Sequence, residues 1–403
     1  MTDFLLALNA GSSSVKFAVF ATDAGAPSLR WRGHTEGFGG APLFEVFHRG
    51  DRVLSRALPF NSAEGLHKAA FAAMFEWLFG VIDRRTLIAA GHRVVHGGGV
   101  FTAPATIDAE VLARIDGFSR LAPLHQPHNV AGIRAVGDLV PGLLQVACFD
   151  TAFHRTMPAH AYTLALPKAV RETGVRRYGF HGLSYENIAG ALPKHLAQSQ
   201  TRVIAAHLGN GASLCAMRNG ESVETTMSFT ALDGLVMGTR AGSLDAGVLL
   251  HLMLVHGMSA QDLETLLYQS SGLLGLSGAT NDMRALLESP APEARLAIDC
   301  FVYRAVQEIG ALIASLEGLD ALVFTAGIGE RSAEIRERIC SRLGWLGVSL
   351  DEEANAAHAA KISSPQSAVA VLIIPADEEG IIARDTLALA KAGKTERAMG
   401  HPA

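Results

Sequence analysis

The chain has 403 residues, of which 49% are apolar and 18% are charged; this length exceeds what one hydrophobic core usually supports, so we expect an enzyme-sized globular protein of two domains. The net charge is −5 without a long run of like charge, which argues against nucleic-acid binding and against a polybasic membrane surface. Since there is no basic and apolar leader, no membrane-length apolar run and only four scattered cysteines, the sequence predicts a cytoplasmic protein.

The first predicted element is a hairpin around LNAGSSSVK, residues 8–16. A P-loop would require the pattern GxxxxGK[ST] and a following helix. Here no second glycine precedes Lys16, and Val15, Phe17 and Val19 alternate with the period of a strand. We therefore expect a turn whose backbone N–H groups and serine hydroxyls can bind an anion, with an ordinary serine-rich hairpin as the alternative.

Helices and short buried strands alternate along the rest of the chain, which predicts α/β architecture. The predicted helices are 63–83, 291–317 and 332–346, and the predicted strands are 87–95, 143–150, 202–209, 321–327 and 368–376. The order strand, polar glycine-rich turn, strand occurs in residues 4–20 and again in residues 203–220, which indicates two related domains. Because this order is common in proteins, its two occurrences taken alone could also be a coincidence.

Two glycine-rich segments, GHRVVHGGG and GLVMGTRAGS, each contain an arginine. Arginine suits bidentate recognition of carboxylate and phosphate, so Arg93 and Arg240 are candidates to hold two ends of an anionic substrate. Taken singly, the more ordinary interpretation of each is a surface arginine. His92 and His96 are four residues apart, but no HExxH pattern accompanies them, and we do not expect a zinc site.

Asp150, His181 and Glu378 are further candidates for chemistry. Asp150 ends a buried strand, where α/β sheets place their ligands, and a carboxylate there suits Mg²⁺. His181 lies between an aromatic residue and a glycine in YGFHGLS, and Glu378 is the better metal candidate among the acids of IIPADEEG. Structural roles are the alternatives, because a lone histidine often satisfies local hydrogen bonds and acids after proline often begin a helix.

Two more glycine-rich turns, HLGNGAS at 207–213 and FTAGIGE at 324–330, each follow an apolar strand. Their glycines allow a ligand to approach the backbone, and the second turn precedes a predicted helix whose N-terminus would face that ligand. With the first hairpin, they favour a nucleotide site over three unrelated turns.

These motifs occur in one order between residues 9 and 379: NAGSSSVK, GHRVVHGG, LAPLHQPHN, FDTAFHRTMP, YGFHG, HLGNG, MGTR, FTAGIGE and IPADEE. Together they resemble the motifs of the acetate kinases in the acetate/propionate kinase family. The resemblance implies the ribonuclease H-like α/β fold shared by sugar kinases, Hsp70 and actin, with two duplicated domains flanking a nucleotide cleft. The expected N-terminal domain is 1–150 completed by the C-terminal helix 381–403, and the expected nucleotide-binding domain is 151–380.

The resemblance also implies a reaction and its residues. The reaction is reversible phosphorylation of acetate by ATP with Mg²⁺, or with Mn²⁺ in its place, in a homodimer without nucleic-acid or membrane partners. The implied catalytic residues are Asn9, Arg93, Asp150, His181 and Arg240. The implied nucleotide-binding residues are Ser12, Ser14, Lys16, His207, Gly209, Asn210, Asp282, Met283, Arg284, Gly327, Ile328 and Gly329. The implied substrate-binding residues are Arg93, Val95, Leu124, Phe180 and Ala231, and the implied metal ligands are Asn9 and Glu378.

A carboxylate substrate is already an anionic nucleophile, so the site needs cations rather than a general base, and we expect direct in-line transfer without a phospho-enzyme. Ala231 replaces a proline usual in the family, which would widen the acyl pocket and predicts use of propionate beside acetate. Asp377 stands where the family often has asparagine, and Gly380 where it has a larger residue. Whether Asp377 or Glu378 dominates metal binding therefore stays open.

Two other functions remain open. One is a kinase that prefers propionate or butyrate, and the other is a nucleotide-switched binding protein on the same fold. Two arginine-bearing glycine segments and a histidine argue against a pure switch, which would not need them.

Overall fold

The structure is a computed structural model that describes residues 2–11, 14–23, 25–37, 41–59, 63–198 and 201–399. The implied nucleotide-binding residue Ser12 lies outside these residues. The strands are β1 Phe4–Ala10, β2 Val15–Ala21, β3 Ser28–Glu36, β4 Leu43–His48, β5 Asp51–Ala57, β6 Leu87–Val94, β7 Ala105–Thr106, β8 Leu144–Phe149, β9 Arg202–Leu208, β10 Ala212–Arg218, β11 Glu221–Thr225, β12 Ala321–Thr325 and β13 Ala370–Ile373. The α-helices are α1 Ala63–Val81, α2 Ala109–Gly117, α3 Gln126–Leu139, α4 Ala159–Tyr162, α5 Lys168–Arg171, α6 Gly182–Ala191, α7 Ala246–Leu254, α8 Ala260–Gln269, α9 Gly272–Ser277, α10 Met283–Glu288, α11 Pro292–Leu316, α12 Ala326–Arg331, α13 Ala333–Ser341, α14 Glu352–Ala356 and α15 Glu378–Met399.

The chain divides into two compact units. Unit 1 consists of residues 1–152 and 377–403, and unit 2 consists of residues 153–376. We propose that these units are the duplicated domains expected from the sequence. No helix in the described residues is long and apolar enough to cross a membrane.

Unit 1 contains an eight-stranded sheet of order β5-β4-β3-β2-β1-β6-β8-β7. Strand β1 pairs antiparallel with β2 and parallel with β6, and β6 pairs parallel with β8. Apolar side chains of β1, β2 and α1 form one core, which includes Leu6, Phe17 and Met74. Helix α15 also packs on β1, β6 and β8. The parallel strands therefore end at one edge of this sheet, where the chain carries polar side chains.

The predicted N-terminal hairpin is present in the described residues. Asn9 is directly opposite Lys16 in the β1–β2 ladder, and the turn contains a hydrogen bond from Gly11 N to Ser14 O of 2.9 Å. Val15 and Phe17 are buried while Lys16 between them is exposed, which is the alternation of a strand. The P-loop interpretation, which requires a helix after the turn, is thus excluded.

The five-stranded sheet of unit 2 has the order β11-β10-β9-β12-β13. It repeats the order β3-β2-β1-β6-β8 of unit 1, because β9 pairs antiparallel with β10 and parallel with β12. Its core contains Val203, Cys215 and Val323 together with Tyr185 and Ile188 of α6. The predicted duplication on an α/β fold is therefore confirmed by sheet topology.

Several predicted elements end earlier than expected, including helix 63–83, which ends at Val81, and strand 368–376, which ends at Ile373. Strand 321–327 ends at Thr325 because Ala326 adopts a left-handed φ of 64° and begins helix α12. The glycines of FTAGIGE consequently lie inside a helix rather than in a turn before one. Helix 332–346 is replaced by α13, which ends at Ser341, and by a separate 3₁₀ turn at Gly344–Leu346.

Candidate active site

In unit 1, the ends of three neighbouring parallel strands bring together the candidates Asn9, Arg93 and Asp150. Asn9 is near the end of β1, Arg93 near the end of β6, and Asp150 directly follows β8. Glu378 joins them from the start of α15. Sheet topology thus gathers residues that are far apart in sequence, as expected at the carboxyl edge of an α/β sheet.

Arg93 is the centre of this cluster. Its Nε and Nη2 donate to Asp150, with Nε–Oδ1 at 3.2 Å and Nη2–Oδ2 at 2.6 Å, while Nη1 lies 3.5 Å from Asn9 Oδ1. Glu378 Oε2 lies 3.8 Å from Arg93 Nε. Burial disfavours the charged guanidinium, but the charges of Asp150 and Glu378 outweigh that effect and hold the pKa of Arg93 above its ordinary value. Arg93 is therefore a fixed cation at the edge of the sheet.

The motif LAPLHQPHN, which contains the implied substrate-binding residue Leu124, also supports the loops around Arg93. Asn129 Nδ2 donates to Ala10 O at 2.8 Å, and its Oδ1 accepts from Val95 N at 3.0 Å. Gln126 donates to His96 O at 2.9 Å and accepts from His96 N at 3.1 Å. Because both amide side chains are buried, they hold the residues after β1 and β6 in place.

The three acids before and within the first turn of α15 have different neighbours. Asp377 Oδ1 accepts from Arg32 Nη2 at 2.8 Å, and Glu379 Oε2 lies 3.8 Å from the same atom. Burial and the adjacent charge of Glu378 raise the pKa of Glu379. A Cβ on Gly380 would lie 2.1 Å from Asp377 Oδ2, so glycine leaves room for this carboxylate. Glu378 is the one of the three that the structure places beside Arg93.

The donor set fits a magnesium ion better than a metal with many protein ligands. Among the described residues, no three histidine, cysteine, aspartate or glutamate side chains form a group that can hold a metal. Mg²⁺ usually takes one or two carboxylates and completes its shell with water and phosphate. Glu378 and Asn9 supply a carboxylate and an amide oxygen near Arg93, whereas both oxygens of Asp150 accept from Arg93. A direct Asp150–metal contact, which the sequence allowed, would compete with that ion pair.

In unit 2, two buried histidines stack on each other. His181 Nδ1 is hydrogen-bonded to Ser213 Oγ and His207 Nδ1 to Ser184 Oγ, both at 2.9 Å. The ring centroids are 4.1 Å apart. His181 has a left-handed φ of 57° and directly precedes α6, which contains Ser184. These bonds fix both rings through Nδ1.

The side chains of Arg240 and His181 both lie close to Gly211. A Cβ on Gly211 would be 3.3 Å from His181 Nε2 and 3.7 Å from Arg240 Nη1, so glycine permits this approach. Arg240 Nη1 also donates to Ala231 O at 3.0 Å. The arrangement offers an imidazole and a guanidinium to one anionic group.

Next to these side chains, unit 2 contains a cavity of about 420 Å³. Its lining residues are Gly209, Asn210, Asn281, Asp282, Met283, Arg284, Leu287, Gly327, Ile328, Arg331 and Ser332. Most of the implied nucleotide-binding residues of unit 2 are thus neighbours in space. His207 and Gly329 are outside this lining, and Gly329 is buried against Phe324 instead.

Sequence reasoning missed several residues of this cavity. Asn281 Nδ2 donates to Asn210 Oδ1 at 3.0 Å, and Ser332 Oγ accepts from Ile335 N at the start of α13. Arg331 directly follows FTAGIGE and is therefore not part of that motif. Helical spacing after FTAGIGE would have found Arg331, because it is three and four residues from Ile328 and Gly327.

The four residues implied for the acyl pocket are divided between the units. Val95 is buried and Leu124 is half-buried in unit 1, while Phe180 is buried and Ala231 is half-buried in unit 2. Ser14 is half-buried and Lys16 is exposed on the N-terminal hairpin. These residues stay candidates for their implied roles.

Three other buried histidines have structural partners. His92 Nε2 is bonded to Gln145 Oε1 at 2.8 Å, His96 Nδ1 accepts from Gly98 N at 2.9 Å, and His154 Nε2 is bonded to Phe180 O at 2.9 Å. Burial is the largest cause that lowers the pKa of each to about 4. All three imidazoles are therefore neutral near pH 7.

Comparison with known proteins identifies close relatives. The model of the acetokinase family matches residues 4–384. A protein of Rhodopseudomonas palustris strain TIE-1 named acetate kinase is 50% identical over 401 residues, which cover 98% of this chain and 100% of that protein.

Two solved structures are similar over nearly the whole chain. A propionate kinase from Francisella tularensis subsp. tularensis SCHU S4 has a TM-score of 0.89 at 36% identity and covers 95% of this chain and 99% of its own. The acetate kinase of Porphyromonas gingivalis has a TM-score of 0.84 at 35% identity, with coverages of 96% and 99%.

Proposed function

This chain belongs to the acetokinase family and catalyses the phosphorylation of acetate by ATP to acetyl phosphate and ADP, and we propose that the phosphoryl group passes directly between the two substrates. The observation that carries this mechanism is that each unit holds an arginine beside other site groups. Arg93 lies beside Asn9 and Glu378, and Arg240 lies beside His181.

The proposed reaction is an in-line displacement. A carboxylate oxygen of acetate forms a bond to the γ-phosphorus of ATP, and the bond from that phosphorus to the β–γ bridging oxygen breaks, so that ADP leaves. Arg93 neutralises and orients the acetate carboxylate, while Arg240 and His181 donate to the oxygens of the transferring group. Asp150 keeps Arg93 in position by accepting hydrogen bonds from its Nε and Nη2. No proton has to be removed from the nucleophile.

The nucleotide is assigned to the cavity of unit 2. Asp282, Met283, Arg284, Gly327 and Ile328 would hold the adenosine, with Gly329 behind them, and Gly209 and Asn210 would approach the phosphates. His207 and, from the N-terminal hairpin, Ser14 and Lys16 are proposed to contact the phosphates, and the same role is proposed for Ser12, which lies outside the described residues.

We propose Mg²⁺, replaceable by Mn²⁺, as the metal, with Glu378 and Asn9 as its protein ligands. When bound, the metal would neutralise phosphate charge that builds up during transfer. The ion pairs of Asp377 with Arg32 and of Asp150 with Arg93 support Glu378 as the available carboxylate.

Propionate is proposed as a second acceptor. Val95, Leu124, Phe180 and Ala231 are assigned to the acyl group, and Ala231 offers less bulk than the proline usual in the family. The similarity to a structure described as a propionate kinase supports this proposal. Since one methylene changes selectivity by about 1 to 3 kcal/mol, propionate should be used at a rate measurable beside acetate.

We also propose that the enzyme is a homodimer. Helix α7 has no charged residue and no buried residue, and Leu254 is 81% and Leu250 58% exposed. Such an apolar helix face is unusual on a monomer and suits a self-complementary contact with a second copy.

We propose the cytoplasm as the compartment of this protein. The four cysteines, all in the described residues, form no disulfide, which supports this proposal.

The function is tested by an acyl-phosphate assay. Purified protein is incubated with Mg-ATP, hydroxylamine and acetate, propionate or butyrate in turn, and acyl hydroxamate is measured. We expect product with acetate and, at a lower kcat/KM, with propionate. A propionate kcat/KM a thousandfold below that of acetate would contradict the widened pocket, and ATP hydrolysis without any carboxylate-dependent product would favour a nucleotide-switched binding protein.

A further inference from the structure

The backbone that leads into Glu378 is held from unit 2. Residues 375 and 376 are the last of unit 2, and the chain returns to unit 1 at Asp377. Ala376 N donates to Glu330 Oε1 at 2.9 Å, and Pro375 O accepts from Asn187 Nδ2 at 2.9 Å. The N–H and the C=O of this peptide link are therefore bonded to two different helices, α12 and α6.

Glu330 belongs to the same helix that lines the nucleotide cavity. Its neighbours Gly327, Ile328 and Arg331 are lining residues, whereas the carboxylate of Glu330 is bonded to Ala376. One short helix thus contacts the cavity with some residues and the segment before Glu378 with another.

A buried guanidinium fixes this helix. Arg336 is fully buried, and its Nη1 donates to the carbonyls of Gly329 and Glu330, both at 2.9 Å. Its Nε donates to Asn355 Oδ1 at 2.8 Å. If α12 shifted, the buried Arg336 would lose acceptors, which is costly in free energy. Helix α12 is therefore held as a unit. Any displacement of this helix moves Glu330 with it, because Glu330 is one of its residues.

We propose that Glu330 is a positioning residue that connects the nucleotide cavity to the proposed metal ligand Glu378. It holds the amide of Ala376, two residues before Glu378, through a hydrogen bond to a charged acceptor. A nucleotide against Gly327 and Ile328 then stabilises the helix that keeps Glu378 in place. This inference rests on the proposed role of Glu378.

The test uses Glu330→Ala, which removes the acceptor, and Glu330→Gln, which keeps an amide oxygen there. Glu334→Ala is the matched control, because Glu334 lies in the next helix, α13, where it pairs on the surface with Arg338 of the same helix. We expect Glu330→Ala to raise the Mg²⁺ concentration for half-maximal rate about tenfold or more, as for the loss of a hydrogen bond to a charged group. Glu330→Gln should restore most of the change, and Glu334→Ala should behave like the unmodified protein.

Hydrogen exchange provides a readout that does not depend on turnover. In the unmodified protein, ADP without metal should slow exchange of the Ala376 amide, and in Glu330→Ala this protection should disappear while the thermal transition persists. If Glu330→Ala fails to fold, the same two measurements on Glu330→Gln decide, with smaller changes in the same direction expected. Unchanged Mg²⁺ dependence or unchanged ADP protection in the folded variant overturns the inference. Failure of the unmodified protein to form acyl hydroxamate would instead refute the proposed function.

Discussion

At the scale of single residues, Arg93 contributes both to stability and to the proposed binding of the substrate. Two of its nitrogens bind Asp150, which is 1% exposed, while the third points to Asn9. A buried carboxylate needs such a partner, since an uncompensated charge in the interior is strongly destabilising. The same pairing holds the guanidinium rigid for an anionic substrate.

Replacement of Arg93 by lysine should separate charge from geometry. Lysine keeps the positive charge but cannot form two parallel hydrogen bonds to Asp150. We expect kcat/KM for acetate to fall about a hundredfold or more, as for the loss of one preorganised donor, and the free energy of unfolding to fall by about 1 to 3 kcal/mol. Hydroxamate formation and urea unfolding measure the two effects.

The matched control for that variant is Arg85→Lys. Arg85 also binds an aspartate, Asp83, but its side chain is 84% exposed. Its replacement should leave both quantities nearly unchanged, because exposed ion pairs contribute little. Equal effects of the two substitutions would mean that burial does not determine the role of Arg93.

At the scale of elements, close packing of α15 on the first sheet depends on Gly91 in β6. A Cβ at this position would lie 2.1 Å from Thr386 Oγ1 and 2.5 Å from Ile382 Cγ2. Both contacts belong to the helix that begins with Glu378. Gly91 therefore sets how near this helix lies to β6, the strand that contains Arg93.

Gly91→Ala should destabilise the protein by about 1 to 3 kcal/mol through overpacking. Gly80→Ala is the matched change on α1, where nothing lies within 4 Å of the added Cβ. It should be neutral or stabilise by up to about 1 kcal/mol, because alanine favours a helix. Urea unfolding of both variants checks the sign, and destabilisation by Gly80→Ala but not Gly91→Ala would contradict the packing argument.

Elements with a strong local pattern could be predicted from the sequence. The period of two in β2 and the long helical periodicity of α11 depend on neighbouring residues alone. The start of α12 could not be predicted, since it depends on a left-handed Ala326 that tertiary packing stabilises. The contact of Arg93 with Asp150, 57 residues apart, requires the order of strands in the sheet. Its role came from resemblance to a family, not from periodicity.

At the scale of the whole molecule, neutral buried histidines occur in both units and make stability depend on pH. His154 keeps a pKa of about 4 when folded because burial excludes its charged form. In the unfolded chain its pKa is about 6.5. The unfolded state therefore binds a proton between these values while the folded state does not, so stability is full above pH 6.5 and falls as the pH decreases toward 4.

His154→Gln should reduce this dependence. Between pH 7 and pH 5 the contribution of one such histidine is about 2 kcal/mol, and the variant should lose that much less stability than the unmodified protein. His195→Gln is the control, because this side chain is exposed. Urea unfolding at both pH values is the measurement, and identical pH dependence in all three proteins would show that His154 is charged when folded.

The exposed apolar side chains of helix α7 lead to a prediction about the proposed homodimer. Leu254→Glu combined with Leu250→Glu should convert a dimer into monomers, because charges would be buried in an apolar contact. The control is Val53→Glu on β5. Val53 is likewise an exposed apolar residue, at 54%, and its replacement should leave the mass of the protein unchanged. Light scattering after size exclusion measures the mass, and a dimer that persists in the double variant would place the interface elsewhere.

The return of α15 to the first sheet has a consequence for biosynthesis. Residues 153–376 of unit 2 are contiguous, so the ribosome releases all of them before α15. Unit 1, although its strands are made first, lacks the helix that covers β1, β6 and β8 until all of unit 2 has been made. Because domains generally fold as units during synthesis, the later-made unit should finish folding first. The nascent first sheet would then keep an uncovered apolar face while unit 2 is synthesised, and chaperones would be expected to bind it.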